Sequence, residues 1–179
     1  TLLRAIAWTG LAASVVGTSH ASAGQRCADA CATRVLRAGA QGPLLVAVAA
    51  VGLHERECRR RKIPYRVATY ANALLPRAIA MRAVGGFVKI IVRDDESQLI
   101  LGMRAAGPQV SSTIMSIALL IDQKKNALNV LEAMFPHPTM SESIQECLRL
   151  LLNKSIYKPE AFPDLLSIRR WSPDEGFVE

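Results

Sequence analysis

Apolar and polar positions fall into blocks along residues 51–152, and each block suggests an element. His54–Pro64 (HERECRRRKIP) is strongly charged, with Glu55 and Glu57 early and Arg59–Lys62 late. That order suits the helix dipole and predicts a short helix ending before Pro64. Tyr65–Tyr70 reads as an extended segment. Gly86–Gly107 carries the clearest hairpin pattern. Phe87, Ile90 and Val92 lie in one β-branched run, Asp94–Ser97 forms a polar turn, and Leu99–Met103 returns. Over Pro108–Gln123, Val110, Ile114, Ile117, Ala118 and Leu120–Ile121 recur at helical spacing and predict an amphipathic helix. Asn126–Met134 predicts a shorter helix. Two prolines then break the pattern in Phe135–Thr139. Ser141–Leu152 restarts a helix, with Ser141 as N-cap and Glu142 in the first turn. From Asn153 the prolines at 159, 163 and 173 predict an extended or irregular arm. The order of elements implies an α+β fold, with helices packed on a mainly antiparallel sheet.

Composition adds little to this picture but removes several alternatives. The 179 residues are half apolar, which excludes disorder for want of core-forming residues. Aromatics make up 5%, too few for a base-stacking platform. No stretch of about 18 apolar residues runs without charge, so no spanning helix is expected. The net charge of +7 invites a nucleic-acid reading, but its only local feature is the Arg59–Lys62 run, which reads as a solvated helix face. Neither a nucleic-acid nor a membrane partner is expected.

Residues 1–50 differ in character, being rich in Ala, Gly, Ser, Val and Leu with Asp29 as their one acidic residue. The first stretch imitates a secretory signal, with Arg4, an apolar run and Ala21-Ser22-Ala23. Trp8, Thr9 and Gly10 interrupt that run. Cys27 and Cys31 stand at i, i+4, with no further ligand types nearby, and read as ordinary thiols. The chain has no G-x-G-x-x-G, no Walker loop and no Cys/His cluster with zinc spacing.

Three histidines could carry proton chemistry. Nothing near His20 or His54 suggests a role. His137 lies between two prolines and just before a helix that opens with Glu142. The prolines restrict the backbone on both sides. A carboxylate in the first helical turn can reach back to the ring, fix its tautomer and raise the basicity of its other nitrogen. On the residues alone a structural and a catalytic reading both stand open.

His137-Pro138-Thr139-Met140-Ser141-Glu142 resembles the H-P-T-x-S-E signature of the pyridine nucleotide–disulfide oxidoreductases. Val48–Leu53 with Glu55, Ala78–Met81, Gly86–Val92, Ile100–Gly102 and Gly107-Pro108 follow the order and spacing of that family's C-terminal dimerisation domain. The resemblance covers residues 46–152. It implies a homodimer through this domain. His137 would point into the partner's active site as acid–base partner of a redox cysteine pair beside FAD, with Glu142 orienting it. The backbone at His137 and Pro138 would approach the partner's flavin. Electrons would pass between a thiol/disulfide substrate, FAD and NAD(P), and the parent enzyme is expected in the cytoplasm. Met140 with Ser141 is nearer the dihydrolipoyl than the glutathione pattern of the family, and a tail without Cys sets the chain apart from its mercuric reductase and large thioredoxin reductase members. The FAD and NAD(P) motifs and the redox C-x4-C are absent from this sequence, so the chain alone is expected to be inactive. Residues 1–45 form a poorly defined segment, expected to be a truncated or frameshifted remnant. Val110, Ile114, Ile117 and the helix after Ser141 are candidates for a contact between copies or for plain core. The alternative function is a stand-alone interaction module or a degenerate gene fragment.

Overall fold

The computed structural model describes residues 32–37 and 45–178. Their centre is one seven-stranded sheet in which every pairing is antiparallel. Strands β1 (Ala32–Arg37), β2 (Leu45–Gly52), β3 (Tyr65–Ala71), β4 (Phe87–Arg93), β5 (Ile100–Gly107), β6 (Leu166–Ser172) and β7 (Gly176–Val178) lie in the order β1-β2-β5-β4-β3-β6-β7. Helices α1 (Glu55–Arg60), α2 (Pro76–Ala80), α3 (Val110–Asp122), α4 (Ala127–Leu131) and α5 (Glu142–Leu151) complete the fold. The α+β architecture read from the sequence is the one found. The signal-like stretch, His20, Cys27 and Cys31 lie outside the described residues.

Alternation along the strands sends apolar side chains to both faces. On one face α3 packs over β2 and β5, and α5 over β3 and β4. Val51, Tyr70, Ile90, Met103, Ile117 and Leu148 are fully buried between them. Each such side chain stabilises the fold by about 1.5–3 kcal/mol. On the other face α1 sets Cys58 against Tyr65, Val67 and Ile91. The stripe Val110, Ile114 and Ile117 points into the main core, as do Ile144, Cys147 and Leu148 of α5. These residues are therefore core and not a contact between copies.

The family-like glycines are explained by close backbone approach. Gly86 (φ +108) and Gly107 (φ +129) lie beside Asn72, whose amide donates to the carbonyls of Gly85 (3.2 Å) and Ala106 (3.3 Å). A Cβ on Gly86 would stand 2.0 Å from the Ala106 carbonyl oxygen, so only glycine fits there.

The tail after residue 152 is not an arm apart from the domain. Strand β6 pairs with β3 from Tyr70↔Leu166 to Tyr65↔Trp171. Leu166 is in the main core, and Trp171 stacks on Tyr65 at 5.7 Å. Arg169 reaches Glu55 (3.2 Å), and Arg170 reaches Asp94 (2.5 Å). Glu55 also pairs with Lys89. Burial pushes the Glu55 carboxyl up, but Lys89, Arg169 and Arg59 outweigh it and hold it below the usual range.

Helix α1 starts on an unexpected cap. His54 has extended backbone, and its Nδ1 accepts the Glu57 N–H at 2.8 Å. Only the neutral ring can do this. Burial and the Arg104 charge push His54 below its ordinary value of 6.5, against weaker opposing effects that include the Glu57 carboxylate. The unfolded chain therefore takes up the proton first as pH falls. The stabilisation is complete above pH 6.5 and is lost as pH falls through the lower folded value. His54→Asn keeps a cap acceptor that does not titrate. Urea midpoints measured from about pH 7.5 to about pH 5 should fall more steeply for the wild type than for this variant. Parallel profiles would show that the His54 cap does not titrate with folding.

Candidate functional site

The segment between α4 and α5 carries the sequence-predicted pair. Phe135 packs partly buried against the main core, and Met140 is 6% exposed. These two anchors lift Pro136–Thr139 to the surface between them. The His137–Pro138 peptide is cis. The His137 side chain is 67% exposed and that of Glu142 15%. Glu142 is the first residue of α5. Its Oε1 lies 2.7 Å from His137 Nδ1, and its Oε2 accepts the Thr139 N–H at 2.7 Å. Thr139 Oγ1 donates to the Pro136 carbonyl at 2.9 Å. The structure thus brings both predicted residues together.

Ser141 holds the N-cap position of α5 as expected, with helical backbone, but does not cap through its side chain. Glu142 takes that role through the Thr139 N–H, where its negative charge suits the positive end of α5. Because an ionised carboxylate only accepts, the bond to Nδ1 assigns the ring proton to that nitrogen. Nε2 of this mostly exposed side chain is then an acceptor with no partner among the described residues. This arrangement can take a proton from an approaching acid and give it back.

Sulfur chemistry does not come from the described cysteines. Cys58 and Cys147 are buried and unpaired. Burial, reinforced by Glu55 and Glu57, pushes the Cys58 thiol up to about 11. Burial pushes Cys147 up as well, and it lies 3.4 Å from the Val88 carbonyl. Neither is a ready thiolate.

A groove of about 530 Å³ opens beside the site, between α3, α4 and the start of α5. Ser116, Leu120, Val130, Phe135 and Ile144 line it. Met134, also in its lining, is 93% exposed; Met115 and Leu119 on α3 are 65% and 53% exposed. The sequence pattern did not single out these three, since they lie off the buried stripe.

Among the described residues no glycine loop forms a cradle for FAD. The positive-φ glycines Gly52, Gly86 and Gly107 make room for the chain's own backbone and side chains; a Cβ on Gly52 would meet the Leu101 carbonyl oxygen at 2.3 Å. None of them opens a phosphate loop of the kind a dinucleotide needs. Among the described residues no group of three His, Cys, Asp or Glu could hold a metal, and no helix is long and apolar enough to cross a membrane.

The sequence model of the pyridine nucleotide-disulphide oxidoreductase dimerisation domain matches residues 45–148. The chain is 32% identical over 114 residues to a dihydrolipoyl dehydrogenase of Chlamydia trachomatis serovar D, covering 64% of this chain and 24% of that protein. It is 29% identical over 109 residues to the dihydrolipoyl dehydrogenase of Thermus scotoductus, covering 61% and 23%. Among solved structures it resembles the HOCl-induced flavoprotein disulfide reductase RclA of Escherichia coli. That match has a TM-score of 0.56 and 27% identity, and covers 59% of this chain and 24% of that one. The chain spans about a quarter of the length of these relatives. Through residues 45–148, most of the described fold and the whole His137–Glu142 pair, the chain belongs to the pyridine nucleotide-disulphide oxidoreductases as their dimerisation domain.

Proposed function

We propose that this chain is the interface domain of a dihydrolipoyl dehydrogenase-like flavoprotein and supplies the proton carrier to a redox disulfide held by a second subunit. One observation carries the reading. An exposed imidazole has its Nδ1 fixed at 2.7 Å on a mostly buried carboxylate, and its Nε2 has no partner among the described residues. In this reading a dithiol substrate binds beside the redox cysteines of the partner. Nε2 of His137 takes the thiol proton as the thiolate forms and returns it later. Glu142 keeps Nδ1–H in place and stabilises the imidazolium. Electron transfer belongs to FAD and NAD(P) in the rest of the parent enzyme; the residues here move only the proton.

The reading needs two copies. The groove, lined by the exposed Met134, adjoins the His137 segment, and Met115 and Leu119 are exposed on α3 next in sequence to its lining residues Ser116 and Leu120, so contact over this surface would carry His137 toward the partner. Sedimentation equilibrium of the purified chain should show a dimer. Met115→Glu with Leu119→Glu should weaken it about a hundredfold, by placing unpaired charge in an apolar contact. A monomer at every concentration reached, or a dimer indifferent to both changes, would remove this surface from the reading.

A further inference from the structure

We propose that Thr139 is a positioning residue for the His137–Glu142 pair, tying the carboxylate and the chain segment that carries the imidazole into one ring of hydrogen bonds. The inference rests on His137 being the proton carrier proposed above. Its basis is that Thr139 bonds both to Glu142 and to the backbone carbonyl just before His137. Its backbone N–H holds Glu142 Oε2 at 2.7 Å, while Glu142 Oε1 holds the imidazole. Its hydroxyl donates at 2.9 Å to the carbonyl of Pro136, the residue directly before His137. Among the described residues no other side chain bonds to His137 or Glu142.

The physical need for such a tie follows from exposure. The His137 side chain is 67% exposed, so packing alone leaves its rotamer free. A carboxylate bonded through one oxygen can still swing; bonded through both, it has one orientation. That orientation serves the ring only if the ring's own backbone keeps its distance from Thr139. The hydroxyl bond to Pro136 sets that distance, and the Thr139 N–H sets the carboxylate. Supporting contacts of this kind commonly fix the tautomer and angle of a working histidine. The side chain of Ser141 makes no cap bond, so the start of α5 offers no substitute.

The test is made on the full chain, labelled with ¹⁵N, by imidazole NMR. In the wild type His137 should show the Nδ1–H tautomer, with Nδ1–H exchanging slowly with water. Thr139→Val keeps the β-branch and the backbone N–H but loses the hydroxyl. It should exchange Nδ1–H about tenfold faster and mix the tautomers, as expected when one hydrogen bond is lost. Thr139→Ser should restore the wild-type signal, which a merely space-filling role for the residue would not require. Circular dichroism checks the fold, and Thr139→Ala takes the place of Thr139→Val if the latter unfolds. Wild-type exchange and tautomer in either folded variant overturn the proposal. Glu142→Ala separates the two levels. If it alone disturbs the tautomer, the pair stands and the role of Thr139 falls. If it too leaves the tautomer unchanged, the pairing of His137 with Glu142 fails as well.

Discussion

His137→Gln is expected to lower dithiol oxidation by about 10²–10⁴-fold, the range typical of removing a positioned acid–base group. Because the described residues do not hold the flavin, the measurement needs an assembled enzyme. Residues 45–178 can replace the matching domain of a dihydrolipoyl dehydrogenase relative such as the Chlamydia trachomatis protein. Flavin content and dimer mass should match the unmutated chimera, since His137 contributes little packing from an exposed position. Glu142→Gln should give a smaller loss, about 10–100-fold, because the ring remains but its orientation and charge support weaken. Turnover of the His137→Gln chimera within a factor of about three of its parent would place proton transfer elsewhere.

Ending the chain at Leu152 is expected to cost at least about 3 kcal/mol of stability. The loss has identifiable parts. Leu166 leaves the main core, where truncating a leucine costs about 2–5 kcal/mol. The Trp171–Tyr65 stack adds about 0.5–1.5 kcal/mol. The pairs Arg169–Glu55 and Arg170–Asp94 are half exposed and contribute less. Urea denaturation of the two lengths compares them directly. Equal midpoints would mean that the β6–β7 hairpin sits on the domain without supporting it. The matched family domain stops at residue 148, so the hairpin lies beyond the shared part.

These two predictions rest on features that differed greatly in how far the sequence disclosed them. The His137–Glu142 pair was legible because every atom involved lies within seven residues of chain, from Pro136 to Glu142. Local spacing and a helix start were enough to bring the carboxylate back to the ring. Its cap position was read correctly at Ser141, but Ser141 and Glu142 both suit a helix start, and the sequence did not show that Glu142, not the serine hydroxyl, makes the bond there. Strand β6 was hidden for the opposite reason. Its partner β3 lies far back in the sequence, and flanking prolines favour an irregular reading. Strand β2 is built largely of Ala and Val, a run without alternation that the pattern did not mark as a strand although Gly42-Pro43 and Gly52 bracket it. Helix α2 begins with Pro76 at its first position and is only five residues long. The cap at His54 gave no signal, because histidine is not among the residues usually found there. The Val110, Ile114, Ile117 stripe told that one face of α3 is buried, but not what covers it. The strands beneath settled that in favour of the core.

The pairing of β3 with β6 also governs how the chain meets its surroundings while it is being made. A ribosome adding about 5–20 residues per second delivers β3 some 5–20 s before β6. Through that interval the segment YRVATYA, rich in good strand formers, presents an unpaired edge. Slow translation should therefore raise the tendency of the nascent chain to pair with other chains along this edge.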